Sequence, residues 1–200
     1  MSGLPFTMSD FDKKSSGVGV EDKHHDAMMK RFIQRHNKAL NNVQELCGKL
    51  PEHSEFFALW TLKSFNAFTF IQYFIAERGK IDELTITTYN MSRLVIGALM
   101  RLVDTGKIDK LTVFLSDAAK SLFPASYKMV QEESVMRSDK VSFHYAWNHS
   151  KVALAKIADD YFVLEGSGNF SENSRHEQYI LTNNSELYEF RKNWIIDSIK

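Results

Sequence analysis

An α/β layered domain is the fold class this sequence predicts, and three observations predict it. Short β-branched runs alternate with helical segments from about residue 81, an apolar hairpin follows, and a capped amphipathic helix closes the chain. Helical periodicity dominates upstream of residue 80. The expected division is therefore a flexible tail over residues 1–22, a helical segment over 23–79 packed on the core, and the α/β domain over 80–200.

Each element has its own signal. From about His24 to Leu50, Met28, Phe32, Ala39, Val43 and Leu46 recur at helical intervals, and Gly48 and Pro51 punctuate the end. A second helix is expected from Ser54, read as its N-cap, to Glu77, with Gly79 closing it. Leu84–Thr88 (LTITT) reads as a strand, Ser92–Asp104 as a helix and Leu111–Leu115 (LTVFL) as a strand. Ala118–Val135 is expected to be mostly helical despite Pro124, and Val141–Trp147 alternates as a strand does. This αβαβ order implies parallel strands with crossover helices. Lys151–Ile157 and Tyr161–Glu165 flank a turn at Ala158-Asp159-Asp160 and so form a hairpin. Gln178–Leu181 is a last short strand, and Ser185 caps a helix running to Ile199.

Composition excludes several classes of protein. The 200 residues are 44% hydrophobic and 25% charged, and 25 basic residues balance 25 acidic ones, so overall charge offers no pull on a polyanion. Any affinity for nucleic acid must come from a local patch. Cys47 is the only cysteine, which rules out an intrachain disulfide and fits a reducing cytoplasm. Residues 1–22 lack the pattern of a secretory signal, and Phe56 to Ala76 is interrupted by Lys63, Ser64, Asn66 and Gln72, so no stable membrane insertion is expected. His24 and His25 beside Asp22 and Asp26 read as a solvated helix start; no metal site and no cofactor is expected.

The chemistry is concentrated near residue 150. Asn148-His149-Ser150-Lys151 precedes the hairpin, which ends in Gly166-Ser167-Gly168-Asn169, and Glu177 follows eight residues beyond Asn169. In this order and spacing the residues resemble the phospholipase D superfamily, whose motif is H-x-K, a turn, G-S/G-x-N and a downstream acid. The likeness spans about three-fifths of the chain, residues 81 to 199. It implies an α/β/α sandwich with a mixed, largely parallel sheet, an N-terminal helical extension, and a catalytic domain over 80–200.

The residue types suit a phosphodiester. Displacing an alcohol from phosphorus takes a nucleophile, neutralisation of the non-bridging oxygens and a proton for the leaving oxygen. His149 as a neutral imidazole supplies the nucleophile, forming a phosphohistidine, and Lys151 on the same strand face brings positive charge. Ser167 and Asn169 offer a hydroxyl and an amide to the phosphate, Gly166 and Gly168 permit close approach, and Glu177 orients the imidazole. The resemblance further implies that no metal takes part.

Two departures bear on activity. The superfamily carries an aspartate five positions after the lysine, where this chain has Lys156, and the interval from His149 to Gly166 is about three residues longer than usual. Asp159 or Asp160 is an alternative occupant of that role. Superfamily members also build one site from two H-x-K motifs, and this sequence has one, which implies a symmetric homodimer with two His149 side chains meeting. Short single-motif members are mostly nucleases, so the resemblance implies a nuclease acting on DNA or RNA. Alternatives are a catalytically silent nucleic-acid-binding module and a phospholipid hydrolase or transferase.

Remaining candidates are weaker. Lys63, Ser64 and Asn66 interrupt an apolar helical region and are candidate substrate contacts, against a bland reading as helix packing. A basic rim of Lys63, Arg93, Arg101, Lys156 and Arg175 is expected around the site. Trp60, Trp147 and Trp194 are read as core or interface anchors, with Trp147 also placed to stack on a base. His144 is read as structural.

Overall fold

The computed structural model describes residues 42–61, 66–171 and 176–198. Its frame is one seven-stranded mixed sheet in the order β1-β7-β6-β5-β2-β3-β4. The strands are β1 (Phe56–Thr61), β2 (Ile81–Thr88), β3 (Ile108–Ser116), β4 (Val141–Ala146), β5 (Val152–Ile157), β6 (Asp160–Gly166) and β7 (Glu177–Asn183). β2 pairs in parallel with β3, and β3 with β4, whereas β2–β5, β5–β6, β6–β7 and β7–β1 are antiparallel. Five strands therefore run one way, and β5 and β7 run against them.

Helices cover both faces, as the α/β/α expectation requires. They are α1 (Ala67–Arg78), α2 (Arg93–Asp104), the single turn α3 (Ala119–Leu122), α4 (Pro124–Met136) and α5 (Ser185–Asp197). On one face, Leu84 and Ile86 of β2, Val113 and Leu115 of β3, Ala153 and Ala155 of β5 and Phe162 and Leu164 of β6 pack in one core with buried residues of α1 and α2. On the other, Phe114, Val152, Leu154 and Val163 meet Tyr188 and Ile195 of α5. Burial on both faces explains why the hairpin reads as a nearly continuous apolar run. Among the described residues, no helix is long and apolar enough to cross a membrane.

Local chemistry sets the ends of the elements. Ser92 Oγ caps α2 by accepting from the Val95 amide at 3.3 Å, and Gly79, at φ 86°, stops α1 in a backbone conformation that suits glycine. Pro124 begins α4 at its first turn, so the single helix expected over Ala118–Val135 is two, separated at Phe123. Asn184, rather than Ser185, caps α5: its Oδ1 accepts from the Leu187 amide at 2.8 Å.

The main correction lies upstream. Residues 56–61, expected within a helix begun by Ser54, form β1, and the helix starts only after Asn66. Leu59 and Thr61 point inward while Phe56 and Trp60 point outward, so both faces are apolar and the period-2 alternation is hidden. Residues 42–47 are helical, consistent with the end of the first expected helix, whose remainder lies outside the described residues.

Candidate active site

The candidate residues His149 and Lys151 lie where β2, β3 and β4 end and β5 begins. Ligands of open α/β sheets collect at the carboxyl ends of parallel strands, because the connecting loops leave a crevice there. A depression of about 860 Å³ opens at this edge, lined by Tyr89, Ser116, Asp117, Trp147, Asn148 and His149. Lys151 lines a second depression, of about 610 Å³, on the face that carries α5. The His149–Lys151 pair thus sits between two concavities.

His149 and Lys151 lie just before β5 rather than within it. They are held in a turn that the neighbouring side chains close. Asn148 Oδ1 accepts from the Ser150 amide at 2.8 Å and from the Ser150 hydroxyl at 2.5 Å, while Asn148 Nδ2 donates to Thr87 Oγ1 at 2.7 Å. The Ser150 and Thr87 hydroxyls are also bonded to each other. Residues on both sides of His149 are therefore tied to the end of β2, a restraint on the imidazole backbone.

Lys151 Nζ lies 3.3 Å from His149 Nδ1 and donates to the His149 carbonyl at 2.8 Å. The Tyr89 ring packs against the imidazole, with centroids 5.1 Å apart. Burial lowers the Lys151 pKa below the ordinary lysine range, and the Glu177 carboxylate works against that shift. This coupling connects the start of β5 electrostatically to the start of β7.

The second strand end is organised by Glu177, which is buried. Ser167 donates its hydroxyl proton to Glu177 Oε2 and accepts from the Gln178 amide at 3.1 Å. Ser167 therefore holds the carboxylate in place. Asn169 is fixed from the other side: Thr88 Oγ1 lies 3.1 Å from Asn169 Oδ1, which leaves the NH₂ end of the amide to donate elsewhere. Asn148 and Asn169 consequently share β2 as a common support, through Thr87 and Thr88.

Gly166 and Gly168 have a packing reason of their own. A Cβ on Gly166 would lie 2.3 Å from Tyr179 Cδ1, and one on Gly168 would lie 2.3 Å from the Tyr179 hydroxyl. The Tyr179 ring lies under the loop, and its hydroxyl is buried with no hydrogen-bond partner among the described residues. Close approach by Tyr179 thus accounts for both glycines.

Other expected contacts fall differently. Asn66 is buried; its Oδ1 accepts from the Phe68 amide at 2.9 Å and its Nδ2 donates to the Ser171 carbonyl at 3.1 Å, so both ends of its amide serve the fold and it is withdrawn as a substrate contact. Lys63 and Ser64 lie outside the described residues. Trp147 is 98% exposed beside His149, Trp60 is 60% exposed and Trp194 43%, so none of the three is a core residue. His144 stacks on Phe114 at 4.8 Å, and burial lowers its pKa.

The basic rim does not assemble. Arg93 starts α2 next to Ser92, whose amide bonds the Phe170 carbonyl, but Arg101 lies in the last turn, about 12 Å along the helix at 1.5 Å per residue. Lys156 lies near the far end of β5, about 17 Å from Lys151 at strand spacing. Lys63 and Arg175 are outside the described residues. At that far end Asp82 accepts from the Ala158 amide at 2.7 Å, and Asp160 bonds Arg78 and Asn183. Lys156 belongs to this structural end, where the Ala158 amide foremost, then Lys80 and lastly the Lys156 charge, hold the Asp82 carboxyl below the usual carboxylate range.

Sequence reading missed Thr87, Thr88, Tyr89 and Asn148. For Thr87, Thr88 and Tyr89 the signal was the polar end of the β2 run, where strand residues meet the crevice.

The fold is similar to that of a phospholipase D family member. Similar solved structures include a phospholipase D family member, Nuc, from Salmonella typhimurium (15% identity, TM-score 0.53, covering 72% of this chain and 93% of that one). Polyphosphate kinase from Porphyromonas gingivalis matches at 18% identity and TM-score 0.55, over 73% of this chain and 26% of the kinase. Phosphatidylserine synthase from Haemophilus influenzae matches at 15% identity and TM-score 0.54, over 72% of this chain and 39% of the synthase. This chain therefore spans only a minor part of those two larger proteins. No protein-family model and no curated protein matches the sequence.

Proposed function

We propose that the chain is a metal-independent phosphodiesterase, a nuclease cleaving DNA or RNA through a phosphohistidine at a site shared by two subunits. The observation that carries this reading is the ammonium of Lys151 lying 3.3 Å from His149 Nδ1 and within electrostatic reach of Glu177, which Ser167 holds. The mechanism uses the imidazole tautomer whose single proton is on Nε2, so that Nδ1 accepts from the ammonium. A phosphate arriving between the two groups draws the ammonium to its non-bridging oxygens and releases the Nδ1 lone pair.

The steps balance as follows. The imidazole nitrogen attacks phosphorus, the bond from phosphorus to the leaving oxygen breaks, and His149 of the partner subunit gives that oxygen its proton. Water then attacks phosphorus, giving its proton to the partner's His149, and the bond from phosphorus to the His149 nitrogen breaks, which frees the imidazole and the phosphate monoester. Glu177 accepts from the far imidazole nitrogen and stabilises the cation formed on attack, while Asn169, and Ser167 after turning from Glu177, hold the phosphate oxygens.

The test uses labelled single-stranded DNA, duplex DNA, RNA and phospholipid in excess EDTA, beside His149→Ala. Nucleic-acid cleavage should persist in EDTA and fall by about three orders of magnitude or more in the variant. Cleavage that EDTA abolishes, or that survives in His149→Ala, sinks the mechanism.

A further inference from the structure

The depression lined by Lys151 continues away from the site as a groove between β1, β7 and α5. Its walls include Trp60 of β1, Ile180 of β7 and Trp194 of α5, and its floor includes Glu165 and Arg191. Lys151 and Gly166 stand at one end, where the Gly166 amide donates to the Lys151 carbonyl at 3.2 Å. Trp60, outward-facing on an edge strand, and Trp194 on α5 expose indole surface on one groove, the kind of rimmed apolar surface that takes a ligand.

The walls are held in position. Trp60 Nε1 donates to His176 Nδ1 at 3.1 Å. Arg191 makes a two-pronged bond to Glu165, at 2.5 and 2.9 Å, and its guanidinium lies 5.9 Å from the Trp194 ring centroid. Aromatic faces fixed in this way lose little freedom on binding.

An acyl chain fits the groove badly, because it would strip water from the Glu165–Arg191 pair and from Gln178 without replacing any hydrogen bond. A nucleobase fits it well. Its faces stack on indole rings, its edge donors and acceptors meet the polar floor, and its phosphate falls toward Lys151. Bases within a duplex have both faces covered by their neighbours, so only an unpaired base can stack in this way.

We propose that this groove seats a nucleobase flanking the scissile phosphate, which makes single-stranded nucleic acid the substrate class. The proposal rests on the phosphodiesterase reading for the place of the phosphate alone.

The experiment separates the two. Binding is measured by anisotropy of a labelled oligonucleotide in the non-cleaving His149→Ala background, with single-stranded DNA, single-stranded RNA, the matching duplex, an abasic strand of equal length and anionic phospholipid vesicles as competitor. Trp60→Ala and Trp194→Ala should each weaken single-strand binding by about fivefold or more, with Trp60→Phe and Trp194→Phe retaining most of it. The abasic strand and the duplex should bind more weakly than the single strand by a similar factor. Equal binding of the abasic strand, indifference to both tryptophans, or displacement by vesicles overturns the groove assignment even if cleavage is found. Tryptophan-dependent binding without cleavage leaves the groove standing and removes the hydrolase. The abasic comparison needs no tryptophan variant, so a misfolded substitution does not blunt the test.

Discussion

Lys151 is the residue whose environment makes the sharpest statement about pH. Burial disfavours its charged form and lowers its pKa, so an activity that needs the ammonium is lost as pH rises through that lowered value. The basic limb of the pH–rate profile should therefore fall below the ordinary lysine range. Glu177 opposes the shift, so Glu177→Gln should carry the limb to still lower pH, and Lys151→Arg, which stays charged, should remove it from whatever activity remains. A limb that moves upward in Glu177→Gln contradicts the coupling. Gly168 gives a stability test at the same scale. Gly168→Ala drives a methyl to 2.3 Å from the Tyr179 hydroxyl and should cost about 1–3 kcal/mol in denaturant unfolding. With Tyr179→Phe the nearest ring atom is Cζ, 3.2 Å away, so the double variant should recover much of that loss. Additive losses would show that the hydroxyl is not the obstacle.

At the scale of elements, what could be read from the sequence followed how cleanly each segment showed its period. β2, β3, α2 and the β5–β6 hairpin were legible because their apolar residues fall on the faces that the fold buries. β1 was not, since Phe56 and Trp60 on its outer side mask the alternation, and Trp60 turns out to line the groove. The candidate site was legible as residue types: His149, Lys151, Ser167, Asn169 and Glu177 all lie at strand ends on the crevice side. Its support was not legible, because Thr87 and Thr88 reach Asn148 and Asn169 across about sixty and eighty residues of chain, and no local pattern encodes such a pairing. Lys156 could only be placed once β5 had a direction. Its position toward the far end, near Asp82, predicts that Lys156→Ala leaves kcat within about twofold, as for a surface change remote from chemistry. A loss of several orders of magnitude would return that position to the mechanism.

For the whole molecule, the decisive matter is how many imidazoles meet at one phosphorus. In-line displacement places nucleophile and leaving oxygen on opposite sides, and one side chain held in one turn cannot serve both at once. The proposed mechanism, with a single H-x-K in this sequence, takes its second histidine from a second copy, a two-fold axis making the two contributions equivalent. Subunit mixing tests this directly. Wild-type and His149→Ala chains are denatured together, refolded at varied ratios, and assayed at constant total protein. If each working site needs two intact histidines, activity follows the square of the wild-type fraction, about a quarter at an equal mixture, whereas self-sufficient chains give about half. A straight line through the mixing series would leave His149 acting alone and would require another group in the same chain to protonate the leaving oxygen.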